Sequence, residues 1–368
     1  MTQFLRYINN LVVCKIGSEK IFRYLIYWWF IFFVSWGLSY GSGFYKYHAD
    51  SSDLFDNFFE LKDIVTLSQE DSLIGNIREL QIDSEKNIWI LDSKNYCVKK
   101  FNRNGKFCFE FGQKGQGPGE FVKPFGFFVD KEVIYISDPM ARKLNYFDKK
   151  GKFKYFVKIR DGRSIRSRKK GDLIVAASWQ EESGGGYCLH IHNKNGDIEK
   201  SFLPISEIAK KNKLVCDGVF FDLDSVGNIY GIQEMDYKIF KYSTKGKLIT
   251  SFSKLNPYYI PPPKAPFKHF YLRSKMTEWV KSWTHIEGIR VLDNLLFVTL
   301  RNYDAEDFEY ILDIYNTDGI FVNGGLKTNY RLMYIENNEI LYFLKERIDS
   351  DIDFSILKFS VKDHKKDK

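Results

Sequence analysis

Five short phrases ending in or around a glycine recur along this chain and constrain its fold more than any other feature. They are NRNGK at Gly105, DKKGK at Gly151, NKNGD at Gly196, STKGK at Gly246 and NTDGI at Gly319, spaced 46, 45, 50 and 73 residues apart. Each follows a run that closes on an aromatic or apolar pair and precedes a second such run, the pattern of two β-strands joined by a tight turn in which Gly supplies a positive φ. A unit that recurs at a period of tens of residues cannot bury its apolar face alone. Recurrence therefore implies stacking.

A second series runs in phase with the first. The apolar stretches NIWILD (87–92), EVIYISD (132–138), DLIVAAS (172–178), NIYGIQ (228–233) and NLLFVTL (294–300) each precede one turn, and a sixth, NEILYFL (338–344), follows the last. The sixth unit continues only into FSILKFSV (354–361) before a charged tail at 362–368, so it lacks an outer strand. FFELKDIVTL (58–67), ahead of the first unit, has the right character to supply it. The fold class read from these series is all-β: a six-bladed β-propeller over 58–361, closed by pairing of an N-terminal strand with the last blade, which removes exposed sheet edges. An aromatic content of 17%, with Phe 33 and Tyr 23, fits pleated half-buried surfaces better than long helices.

The wide spacing of 73 residues holds an insertion between blades 4 and 5, Ser253 to His285, in which Pro261 to Pro263 exclude helix and central strand. After them, Phe270, Met276, Trp279, Val280 and Trp283 recur at helical spacing and predict an amphipathic helix within 267–283 that caps the propeller.

Ahead of the propeller, IFRYLIYWWFIFFVSWGL (21–38) contains an uninterrupted apolar core and is preceded by Arg6, Lys15, Lys20 and Arg23. Its length lies between a signal-peptide core and a full membrane span. Bulky Trp28, Trp29 and Trp36, with no small-x-small site after Leu38, favour an anchor helix or uncleaved signal at 21–40 over a cleaved and secreted form. The positive-inside rule then keeps 1–20 cytoplasmic, makes 41–57 a linker and places the propeller outside the cytoplasm, in the periplasm or beyond the cell. The net charge of +8 is partly due to these flanks, which makes nucleic acid an unfavoured partner.

Connections in a four-stranded blade alternate between the two faces of the disc. GQKGQGPGEF (112–121), the turns Asp92 to Tyr96, Asp138 to Arg142 and Glu234 to Tyr237, and the 253–285 insertion therefore share one face. Loops on a rigid scaffold commonly carry binding. From that face, Tyr96, Glu120, Arg142, Trp179, Tyr237 and Trp279 are the candidate ligand contacts, chosen for loop position and for the Arg and aromatic preference of binding hot spots. RSIRSRKKGD (163–172) adds five basic residues, Arg163, Arg166, Arg168, Lys169 and Lys170, suited to an anionic surface or to solvent.

Other constellations carry less. Gly115-Gln-Gly117-Pro-Gly119 lacks the Lys-Ser/Thr and following helix of a phosphate loop and reads as a hinge between blades. Asp92 and Asp138 end equivalent strands, as Asp83, Asp130, Asp224 and Asp293 end the strands before them, and repetition points to turn-capping carboxylates. His190 and His192 project from one face of a strand but have no evident third ligand, which makes them weak metal candidates. Cys97 and Cys108 flank a hairpin; a two-residue turn at Asn104-Gly105 would set Cys108 opposite Phe101, which argues against a disulfide.

The unit ILDSKNYCVKKFNRNGKFCFEFGQKGQGPGEF, with its Asp, Asn, aromatic, Asn-x-Gly and Gly-Pro-Gly-x-Phe punctuation, resembles an NHL-type propeller repeat, and ISDPMARKLNYFDKKGKF resembles it in part. The later units keep only the strand pattern and turn. The chain is also similar to six-bladed propeller proteins of bacterial envelopes. The resemblance implies the fold and not an activity, because such propellers host lyases, lactonases, RNA binders and scaffolds alike; the leading reading is a binding module for a protein, peptide or glycan, with no catalysis inferred. An alternative is a metal-dependent hydrolase or lyase with calcium or zinc in the central channel, as lactonase-type and amidating-lyase propellers have.

Overall fold

The computed structural model describes residues 53–159, 162–167, 173–176, 186–212, 218–254, 257–265, 273–303, 309–336, 339–348 and 352–362. The expected anchor at 21–40 and cytoplasmic segment at 1–20 lie outside the described residues. No helix among the described residues is long and apolar enough to cross a membrane.

A short helix α1 (Asp53–Phe58) leads into strand β1 (Phe59–Thr66). Blade one then follows as β2 (Ile77–Ile82), β3 (Ile88–Asp92), β4 (Cys97–Phe101) and β5 (Phe107–Phe111), and blade two as β6 (Phe127–Val129), β7 (Val133–Asp138), β8 (Lys143–Asp148) and β9 (Phe153–Lys158). Blade three is β10 (Ser164–Ser167), β11 (Leu173–Ala176), β12 (Tyr187–His192) and β13 (Ile198–Pro204), followed by helix α2 (Glu207–Lys211). Blade four is β14 (Val219–Leu223), β15 (Ile229–Gln233), β16 (Asp236–Tyr242) and β17 (Leu248–Phe252), followed by helix α3 (Arg273–Lys281). Blade five is β18 (His285–Leu292), β19 (Leu295–Arg301), β20 (Tyr310–Asn316) and β21 (Phe321–Thr328); blade six is β22 (Arg331–Glu336), β23 (Ile340–Ile348) and β24 (Ile352–Val361). Each blade is a four-stranded antiparallel sheet in sequence order, and in the sixth β1 pairs with β24 as the outermost strand. The chain is a six-bladed β-propeller.

The core is divided into six apolar layers, one between each pair of neighbouring blades. Trp89, Leu91 and Val98 of blade one meet Phe121, Phe127 and Phe147 of blade two, and the other five junctions repeat this arrangement. Phe55 and Phe58 of α1 enter the layer between blades five and six, so residues 53–57, expected to end a linker, are instead packed on the ring. Their apolar spacing within DLFDNF explains the difference.

The recurring turns join the two outer strands of blades one to five. In the first, Gly105 (φ 81°) donates its N–H to Asn102 O at 3.0 Å, while the Asn102 side chain accepts from Asn104 N at 2.9 Å and Lys106 N at 3.1 Å. Asp148, Asn193, Ser243 and Asn316 do the same in their turns. A bulge follows each turn, so Phe101 pairs with Phe107. The expected two-residue turn with Cys108 opposite Phe101 is thereby corrected by one residue; Cys97 is a buried and Cys108 an exposed thiol. Close approach is a second reason for Gly here. A Cβ on Gly105 would lie 2.1 Å from Thr66 O of the sixth blade, and one on Gly151 would lie 2.7 Å from the Phe111 ring of the first.

Within the insertion, α3 buries Met276, Trp279 and Val280, three of the predicted stripe, and the Trp279 indole donates to Pro263 O at 3.1 Å. The helix begins at Arg273, and Phe270 lies outside the described residues. Tyr259 O–H reaches Met235 O, and Thr284 N donates to Ile260 O, tying the segment to blades four and five.

Candidate functional site: the channel mouth on the loop face

The innermost strands β2, β6, β10, β14, β18 and β22 contact one another in succession and wall a central channel. All six begin just after a loop between blades, so their first residues lie at the channel mouth on the loop face. Arg78 is the second residue of β2. Its Nε donates to Phe125 O at 3.1 Å and its guanidinium lies 3.5 Å from the centroid of the Phe125 ring. Lys123 Nζ lies 5.5 Å and the Arg163 guanidinium 5.4 Å from the same centroid. Phe125 is buried, while all three cations keep partial contact with solvent.

Distances of this size from one point put any two of the three within about 11 Å, where like charges repel by at least roughly 1.5 kcal/mol at an effective dielectric of 20. The ring returns about 0.5–2 kcal/mol for each well-placed cation. Attraction and repulsion are thus of similar size. Burial pushes Lys123 down to about 8, assisted by the charges of Arg78 and Arg163. Arg78 is lowered by burial, and Glu79 opposes that shift while Arg163 and Arg331 add to it. A guanidinium stays protonated regardless, so its charge persists.

Blades five and six, which adjoin blade one around the ring, present a different chemistry. Glu287, third in β18, accepts from the Tyr303 hydroxyl at 3.1 Å and lies 3.6 Å from Arg331 and 4.0 Å from Arg301. Burial alone would raise its carboxyl, but Arg331, Arg301 and His285 overcome this and hold it below the usual range. Arg301 also pairs with Glu309 and lies over Tyr303 (4.3 Å) and Tyr310 (5.4 Å). His285 contacts Glu234 at 2.8 Å through Nδ1 and Val280 O at 2.8 Å through Nε2, with Trp283 stacked on it at 3.5 Å. The insertion is thereby fastened to this wall. Glu346, near the end of β23, is raised by burial, and Arg331 pulls against that shift.

Deeper in the channel, Arg166 pairs with Asp222 at 3.4 Å, and Asp222 also accepts from Val291 N at 3.1 Å. Arg290 donates to Met333 O at 3.1 and 3.0 Å and to Ile289 O at 2.8 Å. These charges lace the inner strands together. Two of the five basic residues in the 163–172 run, Arg163 and Arg166, therefore face the channel instead of forming a surface patch; residues 168–172 lie outside the described residues.

The five described residues among the six expected ligand contacts are not brought together. Tyr96 and Arg142 occupy equivalent turns and take positive φ (58° and 53°); Arg142 is exposed and Tyr96 is half-buried beneath Lys114 at 5.5 Å. Glu120 accepts from Gly117 N and Gln113 Nε2, both at 2.8 Å, and so closes its own hinge loop. Tyr237 is 4% exposed, joins the layer between blades four and five and donates to Asp313 at 2.5 Å; Trp279 lies on the buried side of α3 and is 5% exposed. Trp179 lies outside the described residues.

Asp92, wholly buried, accepts from Gly75 N, Asn76 N, Asn95 N and Asn95 Nδ2; Asp138 accepts from Val122 N, Lys123 N and Ala141 N. Both carboxylates are consumed by turns, as repetition implied. His190 bonds Ser201 Oγ and His192 bonds Gly196 O, each at 2.9 Å. Among the described residues no group of three His, Cys, Asp or Glu side chains could hold a metal. The cation-lined mouth does not fit calcium or zinc.

Arg78, Lys123, Phe125, Glu287 and Arg331 were not singled out by sequence. A partial signal was present: of the Ile-Arg pairs at 77–78, 159–160, 165–166 and 289–290, three fall in innermost strands.

The fold is shared with solved structures. A candidate exported protein from Bacteroides fragilis NCTC 9343 superposes with a TM-score of 0.61 at 17% identity, over 86% of this chain and 99% of that one. A member of the duf4221 family from Bacteroides vulgatus gives a TM-score of 0.61 at 10% identity, over 83% and 99%. No significant match was found among curated proteins. Residues 46–248 match DUF5128, a family described as a 6-bladed beta-propeller. With more than half of its length matched and six blades closed into a ring, the chain belongs to that family.

Proposed function

We propose that this protein is an extracytoplasmic binding module that presents the loop face of its propeller to a protein, peptide or glycan, and that it is held at the membrane through residues 21–40. The observation that supports this most is the difference between the two faces. Hinge loops, the 253–285 insertion and the charged channel mouth all lie on one side, whereas the other carries repeated Gly turns whose side-chain hydrogen bonds are spent on their own backbone. Placement outside the cytoplasm rests on the basic residues ahead of the apolar run at 21–38 and goes with the exported character given for the Bacteroides fragilis protein.

Glycan and peptide arrays probed with the full-length protein in a non-ionic detergent test the reading. Arg142→Gln and Lys114→Gln, both on exposed parts of the loop face, are expected to weaken the strongest array signal several-fold, while Lys150→Gln on the turn face leaves it unchanged. Equal signals from all of these variants would count against a loop-face site.

A further inference from the structure

The turn carboxylates break their repeating pattern in blade four. Asp92 and Asp138 each spend both oxygens on N–H groups of their own blade. Glu234, just after β15, accepts from Gly218 N through Oε2 at 3.1 Å, but its Oε1 meets Nδ1 of His285, the first residue of blade five, at 2.8 Å. The other ring nitrogen, Nε2, meets Val280 O at 2.8 Å. Val280 lies in the last turn of α3, where carbonyls have no partner within the helix, so the imidazole caps that end. Both partners are acceptors, and a neutral imidazole has only one N–H to donate. The two bonds coexist only when the His285–Glu234 pair carries an added proton, as an imidazolium beside a carboxylate.

The setting suits that charge. Trp283 stacks on the ring at 3.5 Å between centroids, and the negative end of the α3 dipole lies at Nε2. Tyr303 meets the ring edge-on at 4.9 Å, Glu287 stands two residues further along β18, Arg301 of β19 lies over Tyr303 and near Glu287, and Lys281 ends α3. Arg331 and Arg301 hold Glu287 below the usual carboxylate range against its burial, and burial pushes Tyr303 well above the ordinary tyrosine value. Neither therefore changes charge near neutral pH, and a guanidinium keeps its proton throughout.

We propose that His285 is a proton-dependent clasp: doubly protonated, it ties the C-terminal end of α3 to Glu234 of blade four, and loss of one proton loosens the helix from the ring. Deprotonation turns a ring lone pair towards the Val280 carbonyl or the Glu234 carboxylate, replacing a charge-assisted hydrogen bond with repulsion. Val280 and Glu234 belong to separate elements, so breaking either bond parts α3 from blade four. Other ties of the insertion, Ala265 N to Asn212 Oδ1 and Thr284 N to Ile260 O, involve no group that titrates near neutral pH. The cap therefore loosens without the propeller opening. The clasp acts on this part of the loop face whatever that face binds.

Hydrogen exchange of the full-length protein in non-ionic detergent, followed by mass spectrometry from about pH 5 to about pH 9, tests the clasp. Peptides from β3 and β4 serve as the internal reference that removes the intrinsic pH dependence of exchange. Protection of peptides covering 273–284 is expected to fall by about tenfold relative to that reference as pH rises, the loss of one hydrogen bond to a charged group. His285→Gln is expected to show the loosened value at every pH. Glu234→Gln, whose amide can either donate or accept at Nδ1, no longer requires the added proton and is expected to show a flat profile. Circular dichroism verifies that each variant is folded; if His285→Gln does not fold, the wild-type and Glu234→Gln series decide. Protection of α3 that is independent of pH in the wild type, or a wild-type slope retained in Glu234→Gln, overturns the proposal.

Discussion

The two walls of the channel mouth use the same residue types to opposite ends. On the side of blades one to three, Arg78, Lys123 and Arg163 converge on an apolar ring. On the side of blades five and six, Arg301 and Arg331 converge on Glu287, and Tyr303 completes the carboxylate's hydrogen bonds. Arginine is structural in the second setting because its charge is matched within the fold. In the first setting burial drives Lys123 down to about 8, and the charges of Arg78 and Arg163 add to it.

That contrast is sharpest for substitutions that remove one charge from either wall. Glu287→Gln leaves Arg301 and Arg331 without their shared partner and is expected to destabilise the protein by about 2–3 kcal/mol, discounted from the value for a fully buried pair because the carboxylate retains some solvent. It is read as a fall in the thermal midpoint. Lys123→Gln is expected to change stability by less than about 1 kcal/mol, with the sign towards stabilisation, because it removes repulsion. A loss as large as that of Glu287→Gln would erase the distinction between the walls.

Acidity separates them further. A lysine whose folded value lies near 8, below its ordinary 10.5, binds fewer protons in the folded than in the unfolded chain between those two values, so its contribution to stability rises as pH climbs through that window. Lys123→Gln removes that contribution, so between about pH 8 and pH 10.5 its thermal midpoint is expected to gain less with rising pH than that of the wild type. The smallest effect is expected at Glu346, which is exposed near the end of β23; Glu346→Gln should leave stability within about 0.5 kcal/mol of the wild type.

Much of the ring was legible in sequence because each blade repeats a local rule. Asn102, Asp148, Asn193, Ser243 and Asn316 start the same turn, and the glycine three residues on is required both by its φ and by contact with the preceding blade. The bulge after each turn was missed by one residue, because pairing register depends on backbone geometry that NRNGK does not display. The stripe of Met276, Trp279 and Val280 was legible for the same local reason. The channel mouth was not. Arg78 and Arg331 stand at opposite ends of the described ring and are neighbours only because blade six closes against blade one, as the contact of β2 with β22 shows. Tyr237 and Trp279 are hot-spot residue types that the structure buries, Tyr237 in the layer between blades four and five and Trp279 on the inner side of α3.

Thermal unfolding of the full-length wild-type protein, Lys123→Gln and Glu287→Gln tests the difference between the two sides of the mouth most directly. Glu287→Gln is expected to unfold at a clearly lower temperature, while Lys123→Gln unfolds at or above the wild-type midpoint. A Lys123→Gln protein as destabilised as Glu287→Gln would contradict this.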